Sequence, residues 1–333
     1  MEPALIWEWI IKAVILLLFG VTGFAYLTLM ERRVLARIQT RIGPNRAGPF
    51  GLLQPVADGI KLIFKEELIP AQADKVMFVL APIITVIPAL IIWAVIPWGT
   101  SVTIGGRVVP LYLADVSVGV LYLTAVASIA VYGIVIAGWA SNNKYALLGG
   151  LRSSAQMVSY EIALALSFVG PIMLAGSMSL VDIVEAQKNW WFALLQFPAF
   201  LIFLAAGLAE INRAPFDMPE AEQEIVAGYH AEYSGMKFAL FFMAEYIKMI
   251  AISAIAATVF LGGYRLPFIE LPAALGPLVL FIKILVLLFG IIWVRATLPR
   301  FRYDRLMAFG WKVLLPLSLL NVLVTGVILV IIG

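Results

Sequence analysis

Cysteine is absent from the 333 residues, and histidine occurs once, at His230. Iron–sulfur clusters held by thiolates, a bis-histidine haem within the chain and zinc sites of Cys and His are thereby excluded. Neither G-x-G-x-x-G nor G-x-x-x-x-G-K-[ST] occurs, so dinucleotides and nucleoside triphosphates have no recognisable cradle. Charge is scarce as well: Asp, Glu, Lys and Arg make up 13% of residues against 63% hydrophobic ones, and the mean hydropathy is +1.01. A soluble domain carries about 45–50% apolar residues, so a soluble globular enzyme is ruled out. Any redox or energy coupling must be carried by a partner.

What is present is a series of apolar runs, each near the length of about 20 residues that a bilayer-spanning helix needs. The spans predicted are Trp7 to Met30, Val76 to Trp98, Val116 to Trp139, Ala155 to Ala175, Trp190 to Ala209, Phe238 to Leu261, Pro272 to Val294 and Val313 to Ile332. The fold class that follows is all-α: one polytopic membrane domain, residues 1–333, of about eight transmembrane helices. Trp7, Trp98, Trp139, Trp190 and Trp311 fall near span ends, where an amphipathic ring prefers the headgroup region. The first run is too long for a signal-peptide core and no small-residue cleavage site follows it, so it is read as a retained helix.

Lys and Arg outside the spans gather in the first, third, fifth and seventh connections, whereas the second, fourth and sixth hold only Arg107, Lys188 and Arg265. Positive residues resist translocation. The odd connections are therefore expected in the cytoplasm and both termini on the opposite side. The net charge of +3 reflects these loop cations, which gives no reason to expect nucleic-acid binding.

Two cytoplasmic connections, residues 31–75 and 210–237, are too long and too patterned to be linkers. In the first, turn-forming Gly43-Pro44-Asn45 and Gly48-Pro49 precede a helix expected over Phe50 to Lys65. Gln54, Asp58, Lys61 and Lys65 form its polar stripe; Leu53, Val56, Ile60, Ile63 and Phe64 form the opposite face. A helix with that asymmetry lies in the membrane interface. It serves either as an anchor with snorkelling lysines or as one wall of an opening for an amphiphilic substrate arriving from the lipid.

The second long connection collects Glu210, Asp217, Glu220, Glu222, Glu224 and Glu232. Helix capping near Pro219 accounts for about two carboxylates at one helix N-terminus. The surplus suits proton exchange or partner docking. Glu161 and Glu245 lie inside the fourth and sixth spans, roughly 10 Å from their cytoplasmic ends at about 1.5 Å per residue, a depth similar to that of Glu210. Intramembrane acids are expensive unless paired, which makes them functional candidates. Lys248 shares a helix face with Glu245, so a structural pair is equally compatible with the spacing. Lys283 sits in mid-membrane on the seventh span. His230, lacking a second catalytic partner nearby, suits hydrogen bonding better than proton shuttling.

The runs ERRVLARIQTRIGPNRAGPFGLLQPVADGIKLIFKEE and AEINRAPFDMPEAEQEIVAGYHAEYSGMKFALFFMAEY resemble the signature stretches of one family. That family comprises the quinone-chamber membrane subunits of proton-pumping NADH:quinone oxidoreductase, respiratory complex I. The resemblance spans essentially the whole chain. It implies an integral subunit of the bacterial plasma membrane with quinone as substrate and no redox centre of its own. Flavin and iron–sulfur clusters would reside in partner subunits. Those partners would include the iron–sulfur and quinone-site subunits of the peripheral arm, small membrane-arm subunits and membrane lipid. Carried over by motif, Arg32, Arg41, Asp58 and Lys61 would line the quinone entrance, and Arg213, Phe216 and Asp217 would shape the chamber. Glu161, Glu210, Glu220, Glu222, Glu224 and Glu245 would begin a line of proton-coupling carboxylates. No residue is expected to be catalytic in the covalent sense, and no metal is expected. The competing readings are the related anchor subunit of membrane-bound hydrogenases or ferredoxin-linked oxidoreductases, and a stand-alone ion or proton antiporter suggested by Glu245, Lys248 and Lys283.

Overall fold

The computed structural model describes residues 3–104, 106–217, 228–269 and 272–332. Among these residues the chain is a helical bundle in which seven helices are long and apolar enough to cross a membrane. The only sheet among them is a hairpin of β1 (Ser101–Ile104) and β2 (Arg107–Pro110), paired antiparallel with Val102 opposite Val109.

The first helix, α1 (Pro3–Ile38), has 36 residues and is about 54 Å long at 1.5 Å per residue. A bilayer core is about 30 Å thick, so the helix continues through Glu31, Arg32 and Arg33 well past the expected end at Met30. After a 3₁₀ turn at Pro49–Gly51, where Phe50 has φ 53°, comes α2 (Gln54–Phe64). It starts later than Phe50 because that turn takes the preceding residues. No residue of α2 is buried, and its apolar face of Val56, Ile60, Ile63 and Phe64 is open. This is the interfacial helix that the stripe of Gln54, Asp58 and Lys61 predicted.

Helix α3 (Lys75–Ile91) opens on Asp74, whose carboxylate accepts from the backbone N–H groups of Val76 and Met77. It packs against α4 (Gly119–Ala140) at Gly133. A Cβ there would lie 2.1 Å from Thr85 Oγ1 and 2.8 Å from Ala81 O, so only glycine permits this approach. Helix α5 (Lys144–Ala175), capped by Asn143, begins well before the expected Ala155. A short α6 (Leu180–Ala186) follows in the next connection.

The fifth expected span differs most. Its apolar run is divided into α7 (Phe192–Leu195) and α8 (Phe197–Glu210), and the 14 residues of α8 cover about 21 Å, less than a full crossing. The break falls at Gln196, just before Pro198, which has no N–H to give the preceding turn. The Gln196 side chain compensates inside the bundle: Nε2 donates to Thr325 Oγ1 at 3.0 Å and Oε1 accepts from Asn321 Nδ2 at 2.9 Å.

The remaining helices are α9 (Gly235–Phe260), α10 (Gly276–Thr297), α11 (Tyr303–Phe309) and, after a π-turn at Gly310–Leu314, α12 (Leu315–Ile332). Helix α9 is the central one, buried along most of its length from Tyr246 to Phe260. Lys283 on α10 closes its far end: Nζ donates to the carbonyls of Leu261, Gly263 and Arg265 at 2.5–2.7 Å. The mid-membrane lysine thus caps a helix C-terminus, where a cation is favoured by the helix dipole. Gln187 reinforces the same end by donating to the carbonyls of Ile183, Thr258 and Val259 and accepting from the N–H groups of Phe192 and Gly262.

Candidate functional site: a side cavity leading to buried charges

A cavity of about 390 Å³ opens between α1, α2 and the start of α9. Its walls are largely apolar, from Phe24, Leu62, Ile63, Phe238, Phe242 and Met243. Arg32, Asp58 and Lys61 supply polar groups on its α1 and α2 sides, and Tyr246 joins the lining from α9. Arg32 donates to Asp58 Oδ2 at 2.7 Å, Gln54 donates to Asp58 Oδ1 at 3.2 Å, and Lys61 lies 3.6 Å from the same carboxylate. Three of the four expected entrance residues are therefore together. Arg41 is elsewhere: it donates to Gln39 Oε1 and lines a separate basic depression of about 530 Å³ with Arg33, Arg37 and Phe50.

Tyr246 carries the cavity to a buried ion cluster. The Arg213 guanidinium lies 4.5 Å over the Tyr246 ring and 5.9 Å from that of Phe242. Arg213 pairs with Glu245, and its Nη1 is 3.9 Å from Glu31, which in turn pairs with Arg295. Arg213 and Glu31 are almost fully buried. Isolated charges in such a place are prohibitively costly, and here each is set against opposite charge. Glu31 and Arg295 are hubs that sequence reasoning missed. Glu31 lies in a run of cytoplasmic charges and Arg295 in a helix end, and neither spacing signals that they meet across more than 260 residues.

Phe216 and Asp217 are also in place. Phe216 stacks on Phe301 at 5.6 Å and meets Tyr160 at 5.8 Å, and Asp217 accepts from Arg300 at 2.8 Å. Gln156, another residue the sequence did not single out, holds this turn by donating to the carbonyls of Ala209 and Phe216, both at 2.8 Å.

Deeper in the bundle the expected carboxylates gather around a lysine. Lys248 is buried within electrostatic reach of Glu210, Glu245 and Glu161, with Glu210 the strongest influence among the three. Glu161 accepts from the Ser128 hydroxyl of α4. A cavity of about 30 Å³ touches both Glu210 and Lys248, room for a water molecule. The helical neighbours Glu245 and Lys248 thus face different partners: Glu245 has Arg213, and Lys248 has Glu210 nearest in effect. Glu220, Glu222 and Glu224 lie outside the described residues.

His230 ends a short 3₁₀ turn, edge-on to Tyr229 at 4.9 Å and to Phe238 at 5.6 Å. Tyr233 stacks on Phe78 at 4.0 Å and donates to its carbonyl, and burial pushes its phenol above the ordinary value.

Comparisons with known proteins agree over nearly the whole length. A family model described as NADH dehydrogenase matches residues 11–326. The second of two H-type NADH-quinone oxidoreductase subunits named for Geobacter sulfurreducens is 55% identical over 319 residues, 96% of this chain and 95% of its own. The H-type subunit of Thermomicrobium roseum is 53% identical, covering 91% of each chain. The eighth NADH-quinone oxidoreductase subunit of Thermus thermophilus is 52% identical over 97% of this chain and 87% of its own. With a bundle of membrane-crossing helices and a buried charge cluster already in view, these likenesses settle the assignment: the chain belongs to the NADH dehydrogenase family, as an integral membrane subunit of NADH-quinone oxidoreductase of the H type.

Proposed function

We propose that this subunit admits quinone from the bilayer through the cavity between α1, α2 and α9. The ring is guided towards the Arg213 cluster, and reduction there is coupled to proton translocation through Glu245, Lys248, Glu210 and Glu161. The observation that carries the reading is the continuity of the cavity: Arg32 and Asp58 contribute to its wall, and Tyr246, which also lines it, lies against the Arg213 guanidinium. An apolar passage with a few polar groups suits a quinone, whose tail is apolar and whose carbonyls accept hydrogen bonds. Quinone reduction takes up two electrons and two protons, and a change of charge at Arg213 and Glu245 would alter the field at Lys248, three residues along α9. Asp217, Phe216, Arg41 and the acids Glu220, Glu222 and Glu224 are assigned to the chamber and its proton supply on their place in the two signature runs.

In this reading the electrons arrive from flavin and iron–sulfur centres in peripheral-arm subunits docked on the arginine-rich side, and small membrane subunits continue the proton path. The host is a bacterial plasma membrane, with both termini on its outer side. An anchor subunit of a hydrogenase-type complex would use the same charge cluster without a quinone in the cavity. A stand-alone antiporter is disfavoured because Lys283, one of its three candidate ionisable groups, is committed to capping α9.

Photo-crosslinking native membranes with an azido-quinone tests the proposal. Label is expected on residues 24–32, 55–63 or 236–246 and should vanish with excess inhibitor. The quinone assignment is overturned if no displaceable label appears here while other quinone proteins in the same membranes are labelled.

A further inference from the structure

Helix α2 forms one wall of the side cavity without burying a single residue, so something other than core packing must hold it in place. The Arg32–Asp58 pair restrains its middle, but Arg32 is half exposed and such pairs contribute little. Just beyond its C-terminal end the chain 65–68 is fastened to the start of α9 by a compact set of contacts. The Ser234 hydroxyl donates to Glu66 O at 3.3 Å and accepts from Leu68 N–H at 3.2 Å. Lys237 pairs with Glu67, and its side chain is only 14% exposed. Gly235 lies between them at φ +57°; a Cβ there would sit 2.9 Å from Glu67 Cγ and 3.2 Å from Lys65 O. Only glycine allows the two segments to approach this closely.

The residue after Gly235 is Met236, and after Lys237 comes Phe238; both line the cavity. Ile63 and Leu62 line it from the last turn of α2, directly before the fastened stretch. The clasp therefore joins the two walls of the opening at one corner, where a small change in separation becomes a change in width between Ile63 and Phe238.

The geometry points to Glu67, Ser234 and Lys237 as positioning residues that set the width of the opening and so discriminate among quinones by the bulk they carry through it. This rests on the cavity being the quinone route. The three residues touch neither the ring nor the charge cluster, so their influence falls on access. A loosened clasp leaves the bound ring where it was and weakens the contacts made by the tail against Ile63, Met236 and Phe238.

The test uses the assembled complex with Glu67→Gln, Lys237→Met, Ser234→Ala and the charge exchange Glu67→Lys with Lys237→Glu. KM and kcat are measured for a long-tailed quinone and for a short-tailed analogue, alongside NADH oxidation by a water-soluble acceptor to report assembly. Either single charge removal should raise KM for the long-tailed quinone about three- to tenfold, with kcat held within about twofold. KM for the short analogue should stay put, and the exchange should restore the ratio. Ser234→Ala, which removes two hydrogen bonds and no charge, covers the case in which a charge variant fails to assemble, and should move the ratio in the same direction. Equal changes for both quinones, a loss in kcat at constant KM, or no recovery in the exchange would overturn the clasp. If inhibitor-displaceable azido-quinone label is present in the wild-type cavity, only the clasp has failed; if that label is missing, the quinone route fails and takes the clasp with it.

Discussion

Arg213 and Glu245, thirty-two positions apart, form a buried ion pair roofed by the Tyr246 ring. Arg213 enters from the irregular turn after α8 and Glu245 from the central helix. The pair therefore ties the most irregular cytoplasmic segment to the most rigid element of the bundle. Glu31 and Arg295 extend it to α1 and α10, so four parts of the fold converge on one exchange of charge.

Breaking that convergence should be expensive. Arg213→Met leaves Glu245 and Glu31 with less compensation, and removing one partner of a buried pair costs about 3–5 kcal/mol. The expected outcome is a sharp fall in assembled complex on native gels. Adding Glu245→Gln to the same chain should recover part of it, because the stranded charge is then gone. Equal yields of single and double variants would show that the pair is energetically irrelevant.

Asp58→Asn acts at the opening and should leave the fold nearly untouched, since a partly exposed pair contributes about 1 kcal/mol or less. Quinone turnover should fall while electron transfer from NADH to a water-soluble acceptor stays at the wild-type rate. A parallel loss of both activities would point to assembly in place of access.

Glu210→Gln removes the charge closest in effect to Lys248 without changing the shape of the site. NADH-driven acidification of inverted vesicles and quinone reduction should fall together, by about tenfold, which corresponds to about 1.4 kcal/mol in the barrier. Full rates in both assays would remove Glu210 from the coupling path.

Lys283→Met separates a structural lysine from a transporting one. Three carbonyls at the end of α9 lose their donor, and each charged hydrogen bond contributes about 1.5–3 kcal/mol. Thermal inactivation of the complex should shift to lower temperature, while protons moved per electron in the surviving fraction stay constant. A lowered ratio would return Lys283 to the proton path.

Periodicity and run length make most of this architecture legible in the sequence. The apolar runs locate seven crossing helices, and the stripe of Gln54, Asp58 and Lys61 locates α2, because both signals are written within a few turns of chain. The division of the fifth run at Gln196 is not legible. Its stabilising partners, Asn321 and Thr325, lie more than 120 residues away, and an apolar stretch reads the same whether or not it bends. Lys283 misleads for a related reason: a cation in mid-run signals function until the carbonyls it caps are seen. Motif resemblance brings out Arg32, Asp58, Lys61 and Arg213, three of which share the cavity wall. It gives no hint of Glu31, Gln156 or Arg295, whose importance comes from what they meet in space.

The open apolar face of α2 makes the surrounding lipid a structural participant. Val56, Ile60, Ile63 and Phe64 find their hydrophobic environment in acyl chains, so the helix is seated only as well as those chains pack around it. Solubilisation exchanges that seat for a more yielding one. Two preparations with identical subunits and cofactors can then differ in quinone activity through their residual phospholipid alone, and returning lipid should restore the slower of them.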